Sequence, residues 1–191
     1  MGNSTFWVLM PMPAAGVERF APRLRQPVAE HAADPRTREW WRRWAADPNG
    51  EQAFHAFHER AFDGPLDEHV DVVYEAWELG QATGPYVHLA ARKGSPMAGL
   101  AFAIGPERFA RLPGWFGDFL LTPEQARAAL PAVEAAFDLD GAARATAVER
   151  LVEALPECWD GPERILDEVL PVWRAAVEAG HGLFGTQVTP T

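Results

Sequence analysis

Apolar residues follow two patterns along this chain. Residues 6–10, Phe-Trp-Val-Leu-Met, form an unbroken apolar run closed by Pro11 and Pro13. A run that short, without polar alternation, predicts a buried strand at the start of the chain. Residues 182–188 predict a second such strand at the other end. Between them the apolar positions mostly recur every three or four residues, the period of helices with one face turned to a core.

Residues 17–24 predict a short helix ended by Pro27. Asp34-Pro35, an N-cap residue followed by proline at the first helical position, opens a helix over 36–46 that carries Trp40, Trp41 and Trp44. A further helix over 51–62 stops at Asp63-Gly64-Pro65. Leu66, Val70, Val73 and Trp77 then share one apolar helical face, which ends near Gly80; Glu68, Asp71, Glu75 and Glu78 lie opposite. Two apolar runs, 86–91 and 97–104, flank Arg92-Lys93-Gly94-Ser95-Pro96 and predict a β-hairpin. Residues 111–119 read as an aromatic loop. Thr122-Pro123-Glu124-Gln125 is a helix start with an N-cap threonine, a proline and a glutamine three residues after the cap. Asp140-Gly141 opens the next helix. Asp160-Gly161-Pro162 opens a long last one, with Ile165, Val169, Trp173 and Val177 on one face, a kink expected at Pro171 and an end at Gly180. The fold class expected is α+β: a mostly helical single domain, residues 1–191, with a small mixed sheet that includes the N- and C-terminal strands and a central hairpin.

Composition narrows this picture. The chain has 191 residues, 48% hydrophobic and 23% charged, enough for one core without staples. Cys158 is the only cysteine, so no internal disulfide forms and a reducing, cytoplasmic setting is expected. The N-terminus lacks the basic region and cleavage site of a signal peptide, and the longest apolar run is too short to span a bilayer. A net charge of −10 argues against nucleic acid as a partner. Abundant arginine, alanine and proline fit a GC-rich, bacterial genome.

Stretches in this order resemble the YfbM-like family of uncharacterised bacterial proteins. They are Met1-Gly2, Phe54-His55-Ala56-Phe57-His58, Leu121-Thr122-Pro123-Glu124 and residues 165–188. The resemblance covers about half the chain. Two features depart from it: Glu59-Arg60 follow the second histidine, and residues 84–105 have no counterpart. It implies a fold and no activity.

The densest group of titratable residues is His55, His58, Glu59, Asp63, Asp67, Glu68 and His69. His55 and His58 stand three apart on a helix, where their rings can converge. A catalytic cluster of His55, His58, Glu59 and His69 is one reading; the other makes His58 a half-buried histidine satisfied by a backbone group. The spacing matches no zinc-protease motif, and neither a metal nor a cofactor is expected. Cys158 precedes the last helix, where a thiol is either activated or an inert small hydrophobe. Trp41, Arg42 and Arg43 form a candidate contact surface, since tryptophan and arginine dominate such sites; the alternative is a wide amphipathic helix packed under a loop. Trp115 and Asp118 lie in a Gly-Trp-Phe-Gly-Asp segment suited to a pocket wall or lid. No phosphate-binding loop and no nucleophile elbow is present, Gly94-Ser95-Pro96 lacking the second half of the latter.

The function expected is that of a binding or regulatory protein acting through a surface, with a protein or a small molecule as its partner and neither nucleic acid nor a membrane. The alternative is a small enzyme of specialised metabolism using the histidine cluster in an aromatic pocket.

Overall fold

The structure, a computed structural model, describes residues 4–190, and of residues 51–53 the backbone alone. Four strands form one antiparallel sheet in the order β2-β1-β4-β3. They are β1 (Ser4–Met12), β2 (Val87–Arg92), β3 (Phe119–Leu121) and β4 (Gly182–Val188). The two terminal strands pair at the centre, with Val8 opposite Thr186 and Met10 opposite Phe184. β1 reads as a continuous apolar run because both of its faces are covered. Trp7 and Leu9 face one core; Val8, Met10 and Met12 face the other.

The second of these cores lies under two helices, α1 (Ala14–Ala33) and α4 (Val70–Thr83). α1 places Val17, Phe20 and Leu24 on the sheet. It runs through Pro22 and Pro27, well past the end that proline predicts. Burial of its apolar face offsets the hydrogen bonds those prolines remove, a loss of about 3 kcal/mol for an interior proline. α4 approaches β1 so closely at Gly80 that a Cβ there would run into the Met10 side chain.

The larger core, on the opposite face, is roofed by α2 (Pro35–Ala46), α3 (Glu51–Arg60), α5 (Pro96–Ile104), α6 (Pro106–Phe109), α7 (Pro123–Phe137), α8 (Gly141–Ala154) and α9 (Arg164–Glu178). A 3-10 turn, Asp67–His69, leads into α4. Among the described residues no helix is long and apolar enough to cross a membrane.

The α+β class holds, with two corrections of detail. Residues 97–104 belong to a helix, α5, and no central hairpin forms. Ser95 is its N-cap, accepting from Ala98 N, and Pro96 takes the first helical position. Nearly every residue of α5 is buried, so it carries no polar face to reveal its period. The sheet is antiparallel throughout, not mixed: helical excursions return each strand against the direction of its neighbour. β3 escaped the sequence reading because three residues are too few to show a two-residue period.

Candidate functional site

The histidine cluster does not converge. His55 and Glu59 are exposed on α3. His58 is half-buried; its Nε2 accepts the Ser95 backbone N–H at 3.0 Å, and its ring lies against Phe54 and Phe62. Burial, then the neighbouring His55, lowers its pKa, against the pull of Glu59. Ser95 in turn is fully buried, with its hydroxyl committed to Gln187 Oε1 and Ala98 N. His69 ends the 3-10 turn, while Asp67 accepts from Gly64 N and Thr189 N. Asp63 and Glu68 are exposed. Among the described residues no group of three His, Cys, Asp or Glu side chains could hold a metal ion. Cys158 is half-buried in the loop before α9, and burial raises its thiol pKa, the opposite of activation.

The tryptophan helix is ordered by angle. At about 100° per residue, Trp44 falls about 40° from Trp40 and about 60° from Trp41, between the two. It is accordingly the deepest, 1% exposed and stacked on Phe57 with ring centres 4.3 Å apart. Trp40 and Trp41 flank it, both half-buried. Trp41 packs on Phe109 and Phe116, beneath the aromatic loop. Arg42 and Arg43 both pair with Glu39 on the exposed side.

The aromatic loop is a tight turn. Trp115 and Asp118 exchange backbone hydrogen bonds of 3.0 and 2.9 Å, and both residues between them have positive φ, 54° at Phe116 and 89° at Gly117. That is the type I′ geometry of a two-residue hairpin loop. Gly117 has a second reason to be glycine, because a Cβ there would meet the Met97 side chain. Trp7 Nε1 donates to the Gly117 carbonyl at 3.0 Å, pinning the turn to β1. Phe116 is thereby sent into the cluster of Trp40, Trp41 and Phe57; Trp115 packs edge-on against Trp40, and it and Asp118 also line a space beside α1.

There they meet a cavity of about 370 Å³ between α1, β3 and this loop. Its wall is mostly apolar, including Leu24, Val28, Leu66, Phe119 and Phe184. Two ionisable groups interrupt it. Arg25 donates to the Leu120 carbonyl at 3.2 Å through Nε and 3.0 Å through Nη2, and to Gln125 Oε1 at 3.2 Å. Asp118 is 2% exposed. Its Oδ1 accepts both the Thr186 hydroxyl at 2.8 Å and the Gln187 N–H at 3.0 Å. Burial pushes the carboxyl up to about 8, although both hydrogen bonds act to lower it, and the negative Asp67 adds to the rise. At neutral pH Asp118 is therefore mostly a carboxylic acid.

A wider cleft of about 840 Å³ lies among α1, α2 and α3. Arg36, Arg43 and Arg60 line it together with Asp34, Glu39 and Asp63, so its charges balance.

Trp115 and Asp118 were legible as candidates, since glycines around aromatics mark a shaped loop. Arg25, Thr186 and Gln187 were not singled out. The signal for the last two is present: two adjacent polar residues within a strand whose other members are apolar or glycine. Buried polar groups need partners: the Thr186 hydroxyl finds Asp118, the one buried carboxylate among the described residues, while the Gln187 side chain bonds Ser95, Met97 and Ala61 and only its backbone N–H reaches Asp118. No family model matches the chain, and no curated protein and no solved structure matches it either.

Proposed function

We propose that the protein is a binding protein whose occupant is a small, largely apolar molecule held in the cavity between α1 and β3. One observation carries this reading: an apolar cavity of about 370 Å³ with a single buried carboxyl in its wall. Ligand sites typically combine a volume of about 300–1,000 Å³, apolar lining and a few placed polar groups. The loop supports it as well, because its positive-φ turn fixes the wall residues Trp115 and Asp118 before any ligand arrives.

A protein partner on the Trp41-Arg42-Arg43 surface has weaker support. The Trp41 ring is packed against other aromatics, and both arginines are engaged by Glu39. The enzyme reading based on His55, His58, Glu59 and His69 has weaker support, since none of the four lines the cavity described above. A cytoplasmic setting goes with the binding reading, as the lone Cys158 suggests. The YfbM-like resemblance implies no activity and adds nothing to it.

The test is a fluorescence titration with N-phenylnaphthylamine, an uncharged apolar probe. Saturable one-site binding is expected, and Ala29→Trp, an exposed position in the cavity wall, should abolish it while the circular dichroism stays unchanged. Absence of saturation, or equal binding to the filled variant, overturns the proposal.

A further inference from the structure

Asp118 holds its two hydrogen bonds in an asymmetric way. Both donors, Thr186 Oγ1 and Gln187 N, reach Oδ1. Oδ2 has no hydrogen-bond partner among the described residues, and Asp118 is one of the residues that line the cavity. The Gln187 N–H can only donate, and with the Thr186 hydroxyl donating as well Oδ1 is filled as an acceptor. The proton of the neutral acid therefore sits on Oδ2.

The surroundings favour that neutral form. Among the described residues no cation pairs with Asp118. Arg25, the cation in the same wall, is turned to the Leu120 carbonyl and to Gln125. The other charged group acting on Asp118 is Asp67 of the 3-10 turn, which carries the same sign. β4 brings Thr186 and Gln187, α7 brings Gln125 and the loop brings Trp115, none of which titrates in the ordinary range. An ionised Asp118 would be a buried charge without a counter-ion, and such groups keep their proton instead.

We propose that Asp118 sets the specificity of the cavity by donating its Oδ2 proton to a hydrogen-bond acceptor, such as a carbonyl oxygen, on an otherwise apolar and uncharged ligand. The inference rests on the binding reading above and deepens it. An ammonium ligand fits less well, because Arg25 lies in the same wall. A hydrocarbon of the same shape leaves the donor unsatisfied, which costs about tenfold in affinity relative to a ligand that accepts the bond. The raised Asp118 pKa of about 8 supports the same reading: a donor that titrates there is mostly lost one unit higher.

Three isosteric probes test this by calorimetry: methyl naphthyl ketone, isopropenylnaphthalene and naphthylethylamine. At about pH 6.5 the ketone should bind about tenfold more tightly than the hydrocarbon. Its affinity should fall about tenfold by about pH 9, as the acid ionises. Asp118→Asn keeps an acceptor for Thr186 and Gln187 and offers an N–H donor in place of the Oδ2 proton. In that variant the ketone should bind with no alkaline loss. The three-probe comparison on the unaltered protein needs no variant and stands even if the asparagine form does not fold. Equal, pH-independent binding of ketone and hydrocarbon overturns the role of Asp118 and leaves the binding reading intact. Tightest binding of the amine overturns it in favour of an ionised Asp118. Failure of all three probes, with N-phenylnaphthylamine failing as well, removes the binding reading itself.

Discussion

His58 works as a hydrogen-bond acceptor only while its Nε2 is unprotonated, because the atom facing it is the Ser95 N–H. Burial, and then His55, lowers its pKa below the ordinary value of 6.5, while Glu59 pulls the other way. The unfolded chain thus binds a proton that the folded chain refuses as pH drops below about 6.5. The stability this group contributes is fully present above that pH and is lost as pH falls through the folded value. His58→Gln keeps an acceptor and removes the titration, so its urea midpoint should change less than that of the unaltered protein between about pH 7.5 and pH 5. His58→Leu leaves the Ser95 N–H without a partner and should cost about 1–3 kcal/mol at about pH 7.5, and less at about pH 5, where protonation has already weakened the unaltered protein. A steeper acid loss in the glutamine variant would contradict the assignment. The sequence offered both a convergent cluster and a backbone-satisfied His58. It could not separate them, because the partner, Ser95, stands beyond two intervening elements. Asp118 is similar. Its loop was legible, but its neutrality depends on Thr186, Gln187 and the wall of α1, which only the folded chain assembles.

Elements follow their local sequence signals where the chemistry is local. Thr122 accepts from Gln125 N at 3.2 Å, and Gln125 Oε1 accepts from Thr122 N at 2.9 Å, the reciprocal capping box that the four residues announce. The same Gln125 oxygen also takes a bond from Arg25, so this cap stands at the rim of the cavity. Thr122→Ala should cost about 1 kcal/mol, seen as a lower urea midpoint at an unchanged slope. An unchanged midpoint would mean the cap contributes nothing. Signals failed where tertiary packing outweighs them. Pro22 and Pro27 predict the end of a helix that continues to Ala33, since Val17, Phe20 and Leu24 are buried against the sheet. The two apolar runs around Gly94 looked alike in sequence. β-branched Val87 and the opening to solvent at Arg92 belong to a strand, whereas the small residues Ala98, Gly99 and Ala101 let α5 lie directly on its neighbours, with Leu155 against Gly99. Composition, not period, separates these two segments.

For the molecule as a whole, the sheet divides one core from the other, and the cavity lies where α1 meets β3 and the 113–118 turn. A ligand there touches Leu24 and Val28 from α1, and Trp115 and Phe119 from the opposite wall. It therefore ties the helical layer to the sheet edge. Any opening that lifts α1 must release the ligand, whereas fraying of α8, which lines no part of the cavity, need not. A ligand at about a hundred times its dissociation constant stabilises every state that keeps it by about 2.7 kcal/mol over every state that does not. Hydrogen exchange with saturating methyl naphthyl ketone should accordingly slow the amides of residues 23–32 and 115–118. Amides at the centre of β1 and β4, which exchange only when the whole fold opens, should slow by up to about a hundredfold. The ends of α8, free to open without disturbing the cavity, should exchange as before. If the probe saturates while residues 23–32 exchange at their original rate, it occupies some other part of the molecule, and the cavity loses its claim to be the site.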